Sequence, residues 1–475
     1  MTRTRTVRYA AALAVVAAAG LGLVSQQTVT AQGRGNTQVP KLEVDPLWPK
    51  PFPYEKHWAL GSVTGLAIDA QDHVWVVNRG TASLQQNEKG PSLATWASEC
   101  CFGAPQVLEF DAEGTLLNNW GGPGQGYVWP QNPAGIAVDA KGNVWIAAGG
   151  YAAAAAGGGR RGAPPAAAGG AAPGAAAGRA AGGAAPPAGA DAGAGAGAGR
   201  GAGRGRGAPG GAPGAAGGAP PAGGAAPPAA RGGAAPAAAA PAAPAVADAH
   251  VIKFDKTGKA LLTIGTPGKT DESDTTLNGP QAVAIDDAAN EVYVADSGNK
   301  RVVVFDANSG AFKRKFAGSG TPFKDVSCVK LAKDGMVYVC DSANNRIAVF
   351  KKDGTFVKEG TVKAGTGGMV LAGAGGAQGT VYSFGSVWDI ALSNDAQQRF
   401  LYVADGMNKT VWVVQRDTLT PVSRIGDGGR YPGMFYAVGS LAVDSKGNLY
   451  TGEDSDGKRV QKFLNKGMTA PRPLE

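Results

Sequence analysis

The chain has 475 residues, 75 of them glycine and 31 proline, and 45 Lys and Arg against 37 Asp and Glu give a formal charge of +8. That charge is unevenly held: Arg3, Arg5 and Arg8 supply +3, and the stretch 151–247 supplies +6 through seven arginines and Asp191, so the rest is close to neutral. Such a balance excludes a basic stripe for a phosphate backbone, and nucleic acid is not an expected partner.

Taken from the start, residues 1–31 read as a secretory signal. The start is basic, Tyr9–Val24 is apolar, and Val29-Thr30-Ala31 offers small residues for cleavage near Ala31. Tyr9–Val24 is too short and alanine-rich for a stable membrane span, so a secreted or periplasmic protein is expected. Residues 32–56 form an N-terminal extension.

From there a unit recurs six times. Gly65-Leu66-Ala67-Ile68-Asp69 leads to His73-Val74-Trp75-Val76-Val77, and Gly135-Ile136-Ala137-Val138-Asp139 leads to Gly142-Asn143-Val144-Trp145-Ile146. The third copy, Gly279 to Asp306, is the clearest: an apolar small-residue run, an Asp/Asn turn, Val292–Ala295, a second turn, and Arg301–Phe305. Further copies run from Cys328 to Asp341, Trp388 to Asp405, and Ser440 to Tyr450. Asp296 to Asp341 spans 45 residues, the step to Asp405 a further 64, and the step to Asp454 a further 49. Periods of about 40–50 with four strands per unit predict an all-β, six-bladed β-propeller.

The ends predict how the ring closes. Outer strands finish as Trp120-Gly121, Ile264-Gly265, Phe316-Ala317-Gly318 and Ile425-Gly426, whereas the last unit stops after Arg459–Phe463. His57-Trp58-Ala59-Leu60-Gly61 has the missing ending, so an N-terminal strand at 57–61 is expected to close the last blade. The propeller is then 57–150 and 248–465, with 466–475 as a tail. Residues 151–247 are almost wholly Ala, Gly, Pro and Arg, too poor in large apolar side chains to fold, and are expected to be a disordered insertion in blade 2.

In an exported protein the four cysteines are free to pair. Cys328 and Cys340 are equidistant from Asp334 in one hairpin, which predicts a disulfide across the ladder. Cys100 and Cys101 adjoin in a loop and either bond to each other or stay reduced.

The text Asp341-Ser342-Ala343-Asn344-Asn345-Arg346-Ile347, with the Gly-[Ile/Leu]-Ala-[Val/Ile]-Asp starts, resembles NHL repeats over most of residues 57–465. Along much of the propeller the chain is also similar to peptidyl-hydroxyglycine alpha-amidating lyases, which are six-bladed. That resemblance implies a catalytic arginine at Arg79, in Val76-Val77-Asn78-Arg79-Gly80, and a channel calcium at Asp389 with carbonyls near Leu66 and Ile136. Ala134, Ser327 and Trp388 stand where those lyases place zinc-binding histidines, and their catalytic tyrosine is missing from Asp296-Ser297-Gly298-Asn299. Three imidazoles cannot be replaced in this way while zinc stays bound, so zinc is not expected, and apart from the structural calcium the resemblance implies in the channel no cofactor is expected.

Second-to-third and blade-to-blade connections share one face. The long loops Thr81–Gly103, Tyr151–Ala247 and Val362–Phe384 all fall there, as do Tyr127-Val128-Trp129 and Tyr431 to Tyr436. Arg79, Trp96, Tyr127, His250, Tyr431 and Tyr436 are the candidate ligand contacts, with Trp129 and Phe435 expected in the core. No Ser/His/Asp set, metal-spaced histidine cluster or P-loop is present. The expectation is a monomeric binding module for a peptide, saccharide or protein on the loop-rich face. A lyase- or hydrolase-type enzyme using Arg79 in the central funnel is the alternative.

Overall fold

A computed structural model describes residues 38–92, 98–149, 247–318, 320–367, 369–370, 381–382 and 384–474. The expected signal peptide and the insertion up to residue 246 lie outside the described residues, as does Trp96.

Six four-stranded antiparallel sheets form the six blades of a propeller. Blade 1 comprises Val63–Ile68, Val74–Asn78, Val107–Phe110 and Leu116–Trp120. Blade 2 comprises Pro133–Val138, Val144–Ala148, His250–Phe254 and Ala260–Gly265. Blade 3 follows as Pro280–Asp286, Glu291–Asp296, Arg301–Asp306 and Phe312–Phe316. Blade 4 is Val326–Leu331, Met336–Asp341, Arg346–Lys351 and Phe356–Thr361. Blade 5 is Asp389–Leu392, Phe400–Asp405, Thr410–Gln415 and Thr420–Ile425. Blade 6 takes Val438–Val443, Leu449–Glu453 and Val460–Thr469 from the end of the chain and Val39–Asp45 from its beginning.

Position within a blade dictates composition. The second strands are buried along their whole length, as Val74–Asn78 and Glu291–Asp296 are, because sheets cover both their faces. Their middles therefore read as apolar runs, with the polar residues Asn78, Glu291 and Asp296 confined to the strand ends. Outer strands alternate between half-buried and exposed, as in Leu116–Trp120 and Phe312–Phe316. Inner strands crowd the axis. A Cβ on Gly135 would lie 2.7 Å from Ala282 Cα and 2.8 Å from Gln281 O, so only glycine lets blades 2 and 3 approach this closely.

The repeat's polar residues fasten its turns. Asp139 Oδ1 accepts the amides of Lys141 and Asn143, and Asp444 Oδ1 those of Lys446 and Asn448. Arg301 donates to Asp296, Arg346 to Asp341 and Arg459 to Glu453, each binding the end of a second strand to the start of the third. The same arginines reach carbonyls of the incoming loop: Thr276, Thr321 and Met434 respectively. These basic side chains are thus spent inside the blades.

Ring closure corrects one expectation. The N-terminal segment does supply the outer strand of blade 6, but the strand is Val39–Asp45, inside the stretch set aside as an extension, not 57–61. It pairs antiparallel with Val460–Thr469, Val39 facing Thr469 and Asp45 facing Lys462, and that partner strand runs past residue 465. Trp58–Ala59 instead makes a short parallel ladder with Phe102–Gly103, tying the long loop between the second and third strands of blade 1 to its approach segment. The Ala-Leu-Gly ending imitates an outer strand, whereas the strand that closes the ring alternates exposed Lys41 and Glu43 with half-buried Leu42 and Val44 and lacks that ending.

Cys328 faces Cys340 in the ladder of blade 4, and the two are bonded with Cα atoms 4.9 Å apart. Cys100 and Cys101 are bonded to each other. Among the described residues no helix is long and apolar enough to cross a membrane.

Candidate functional site

Arg79 follows the second strand of blade 1, at the seam with blade 6. It is only 4% exposed; Nη1 donates to Asp454 Oδ1 at 3.0 Å, while Nε has no hydrogen-bond partner. The backbone around it is fixed from both sides: Arg79 N donates to Ser62 O, Ser62 Oγ to Ser455 O, and Gly80 N to Asn78 Oδ1. The guanidinium is therefore already neutralised, and it fastens the first blade to the last.

In a ring of six, the seam between blades 3 and 4 lies opposite. There Asp325, immediately before the inner strand of blade 4, accepts Ser297 Oγ at 2.5 Å and Ser342 Oγ at 2.8 Å. The residues in the corresponding place of the other blades are Ser62, Asn132, Gly279, Ser386 and Ala437, so blade 4 alone has an acid. Burial, with the neighbouring Asp341 carboxylate adding to it, pushes Asp325 up to about 7 against the Ser342 hydrogen bond. Only a position-by-position comparison of the six units would have drawn attention to it.

A stability effect follows, with its sign set by the raised value. From pH 4 to 7 the folded protein keeps a proton on Asp325 that the unfolded chain, with an ordinary value of 3.8, has released. The group's contribution thus declines as pH rises through that window. Asp325→Asn should flatten this part of the profile, so thermal melts at pH 5 and pH 8 should differ by a few degrees less in the variant than in the parent. Equal pH slopes would show that the proton is not held.

The rim carries the aromatic candidates. Two cations sit over the ring of half-buried Tyr436, Arg430 at 4.4 Å and Lys409 at 5.6 Å from its centre, and Tyr431 in the same loop is 77% exposed. Their loop is firmly held. Arg459 donates to the carbonyls of Arg430 and Met434, Gly433 N donates to Gln461 Oε1, and Glu453 Oε2 accepts the amides of Tyr436 and Ala437. Tyr127 is half-buried; its hydroxyl donates to Gly122 O and its ring packs against Trp129 and Phe254. His250, 1% exposed, is bonded through Nε2 to Val128 O. These two side chains anchor the loop after blade 1. Phe435 and Trp129 are core residues, as expected.

Down the channel, Asp389 Oδ1 is 3.0 Å from Lys330 Nζ, and its Oδ2 accepts Leu441 N at 2.9 Å. The ammonium of blade 4 thus provides the positive charge for the carboxylate of blade 5. This donor set does not suit calcium, which needs several unengaged oxygens and no cation among them. Nor do the residues suit zinc: Ala134 is packed in the wall, Ser327 Oγ donates to Val387 O, and Trp388 Nε1 donates to Gly385 O.

Residues 277–305 match the NHL repeat family. The chain is a six-bladed β-propeller carrying the NHL repeat. No curated protein matches the sequence. Among solved structures, it is similar to a structural genomics protein of unknown function from Bacteroides thetaiotaomicron VPI-5482. Identity is 12%, coverage 86% of this chain and 70% of that one, and the TM-score 0.41.

Proposed function

We propose that this propeller is an exported, monomeric recognition module, secreted or periplasmic, that binds a peptide, saccharide or protein partner on its loop-rich face. The supporting observation is exposed Tyr431 on the same blade-pinned loop as Tyr436, whose ring carries Lys409 and Arg430 over it. Exposed Tyr431, on a loop held in place before binding, can take a stacked ligand at little cost in loop freedom. The flanking cations favour a ligand that carries carboxylates.

The test uses two polyanions of different backbone, polygalacturonate and poly-glutamate, titrated calorimetrically into the purified protein. The Tyr431→Ala/Tyr436→Ala variant should bind the preferred one about ten- to a hundredfold more weakly, the range expected for aromatic hot spots, with an unchanged melting temperature. Equal affinity in parent and variant would sink the assignment of this rim.

A second reading, elimination or hydrolysis at the channel mouth, draws on Asp325. A carboxyl titrating near 7 is suited to exchanging protons at neutral pH, and Arg79 stands across the ring from it. That reading requires turnover abolished by Asp325→Asn.

A further inference from the structure

On the opposite face, blade 1 departs from its siblings in a coordinated way. In blade 2 the first turn carries Asp139 and Asn143, and Asp139 Oδ2 accepts Trp145 Nε1 and lies 3.6 Å from Lys253 Nζ. Lys253 faces Trp145 in the ladder and sits over its ring. Blade 6 repeats the pattern with Asp444, Asn448 and Tyr450, whose hydroxyl donates to Asp444, and with Lys462 over the Tyr450 ring. In blade 1 the Asp and Trp are kept, Asp69 Oδ2 accepting Trp75 Nε1 at 3.0 Å. The other two are exchanged: His73 replaces the asparagine, and Glu109, facing Trp75, replaces the lysine.

The two exchanges change the charge and the donor set together. A lysine that balanced the aspartate has become a second carboxylate, and an amide has become an imidazole. His73 Nδ1 is 2.8 Å from Glu109 Oε1 and 3.6 Å from Asp69 Oδ2. All three ligand atoms lie within 4.8 Å of one another, and the imidazole is 30% exposed. Ligands about 2.1 Å from a tetrahedral ion stand about 3.4 Å apart, so a small turn of the Glu109 side chain brings the set to metal-binding spacing. The remaining oxygen contacts hold the ligands in place: Asp69 Oδ1 accepts the amides of Gln71 and His73, and the Trp75 indole orients Oδ2.

We propose that Asp69, His73 and Glu109 form a divalent transition-metal site, of the three-ligand zinc type with one open position, on the face away from the long loops. The ion supplies the positive charge that Lys253 supplies beside Asp139 in blade 2, and it links the first turn of blade 1 to its third strand.

The full chain, stripped with chelator, is titrated calorimetrically with zinc chloride, and cobalt(II) is added separately to read the coordination from its visible absorption. One equivalent should bind, with the cobalt spectrum of a four-coordinate site. His73→Asn/Glu109→Lys gives blade 1 the residues of blade 2 and should fold with an unchanged melt. It should bind zinc more than about tenfold more weakly, because even partners outside the ligand set cost about ten- to a hundredfold. Failure of the parent to bind one equivalent, or equal binding by this variant, overturns the site. Should the double variant not fold, Glu109→Gln provides the same comparison.

Discussion

A chain beginning at Pro46 should fail to hold its fold, whereas one beginning at Gln38 should melt like the parent. Val39–Asp45 is the fourth strand of blade 6, and without it Val460–Thr469 is left as a bare ten-residue edge. Buried Val39 and the partly buried Leu42 and Val44 would also be lost from a cluster that includes Phe435, Leu449 and Phe463. Full burial of such a side chain is worth about 1.5–3 kcal/mol, which applies to Val39 and in part to Leu42 and Val44, and the ladder that Val39–Asp45 shares with Val460–Thr469 disappears with them. Thermal denaturation should therefore show a melting point more than about 10 °C lower, or aggregation before any transition. Near-identical melts for the two truncations would mean that the ring does not depend on this strand.

The second large effect is expected from Asp341→Ala. Asp341 is fully buried; Oδ1 accepts the amides of Lys324 and Asp325, and Oδ2 accepts Asn344 Nδ2 at 2.6 Å and Arg346 Nε at 2.9 Å. Removing it strands the buried guanidinium of Arg346 and two amides at once. Breaking a buried ion pair from one side costs about 3–5 kcal/mol, and Glu359, which also contacts Arg346, is more exposed and compensates only in part. Urea unfolding should register that loss with an unchanged m-value. A loss below about 1 kcal/mol would indicate that Arg346 finds other partners. Asp341→Asn, which keeps one acceptor oxygen, should fall between the two.

The blades were legible because their demands are local and repeated. A second strand covered on both faces must be apolar through its middle, and a tight turn calls for Asp139 or Asp444, so the period stands out. The closing strand was not legible. Val39–Asp45 presents one side to water, makes no tight turn, and finds its partner at the other end of the chain, leaving only a weak alternation in the sequence. The Cys328–Cys340 bond could be read from hairpin symmetry. The Lys330–Asp389 pair joins two neighbouring blades in the channel wall, so no spacing along the sequence announces it. His250 and Tyr127 looked like exposed contacts because their loop position was known and their depth was not. Asp325 and the His73–Glu109 exchange are visible only as departures from the repeat once the copies are aligned.

The ring's fastening also fixes an order of events. Val39 meets Thr469, so a strand made early finds its place only once the far end of the propeller has been made, and blade 6 stays incomplete until then. Bringing such distant ends together adds little to the equilibrium cost, since loop entropy grows only as the logarithm of length, but pairings of this range slow folding. Until the final strand arrives, an almost finished protein presents an unpaired border, and a chaperone or a crowded neighbour would meet it there first.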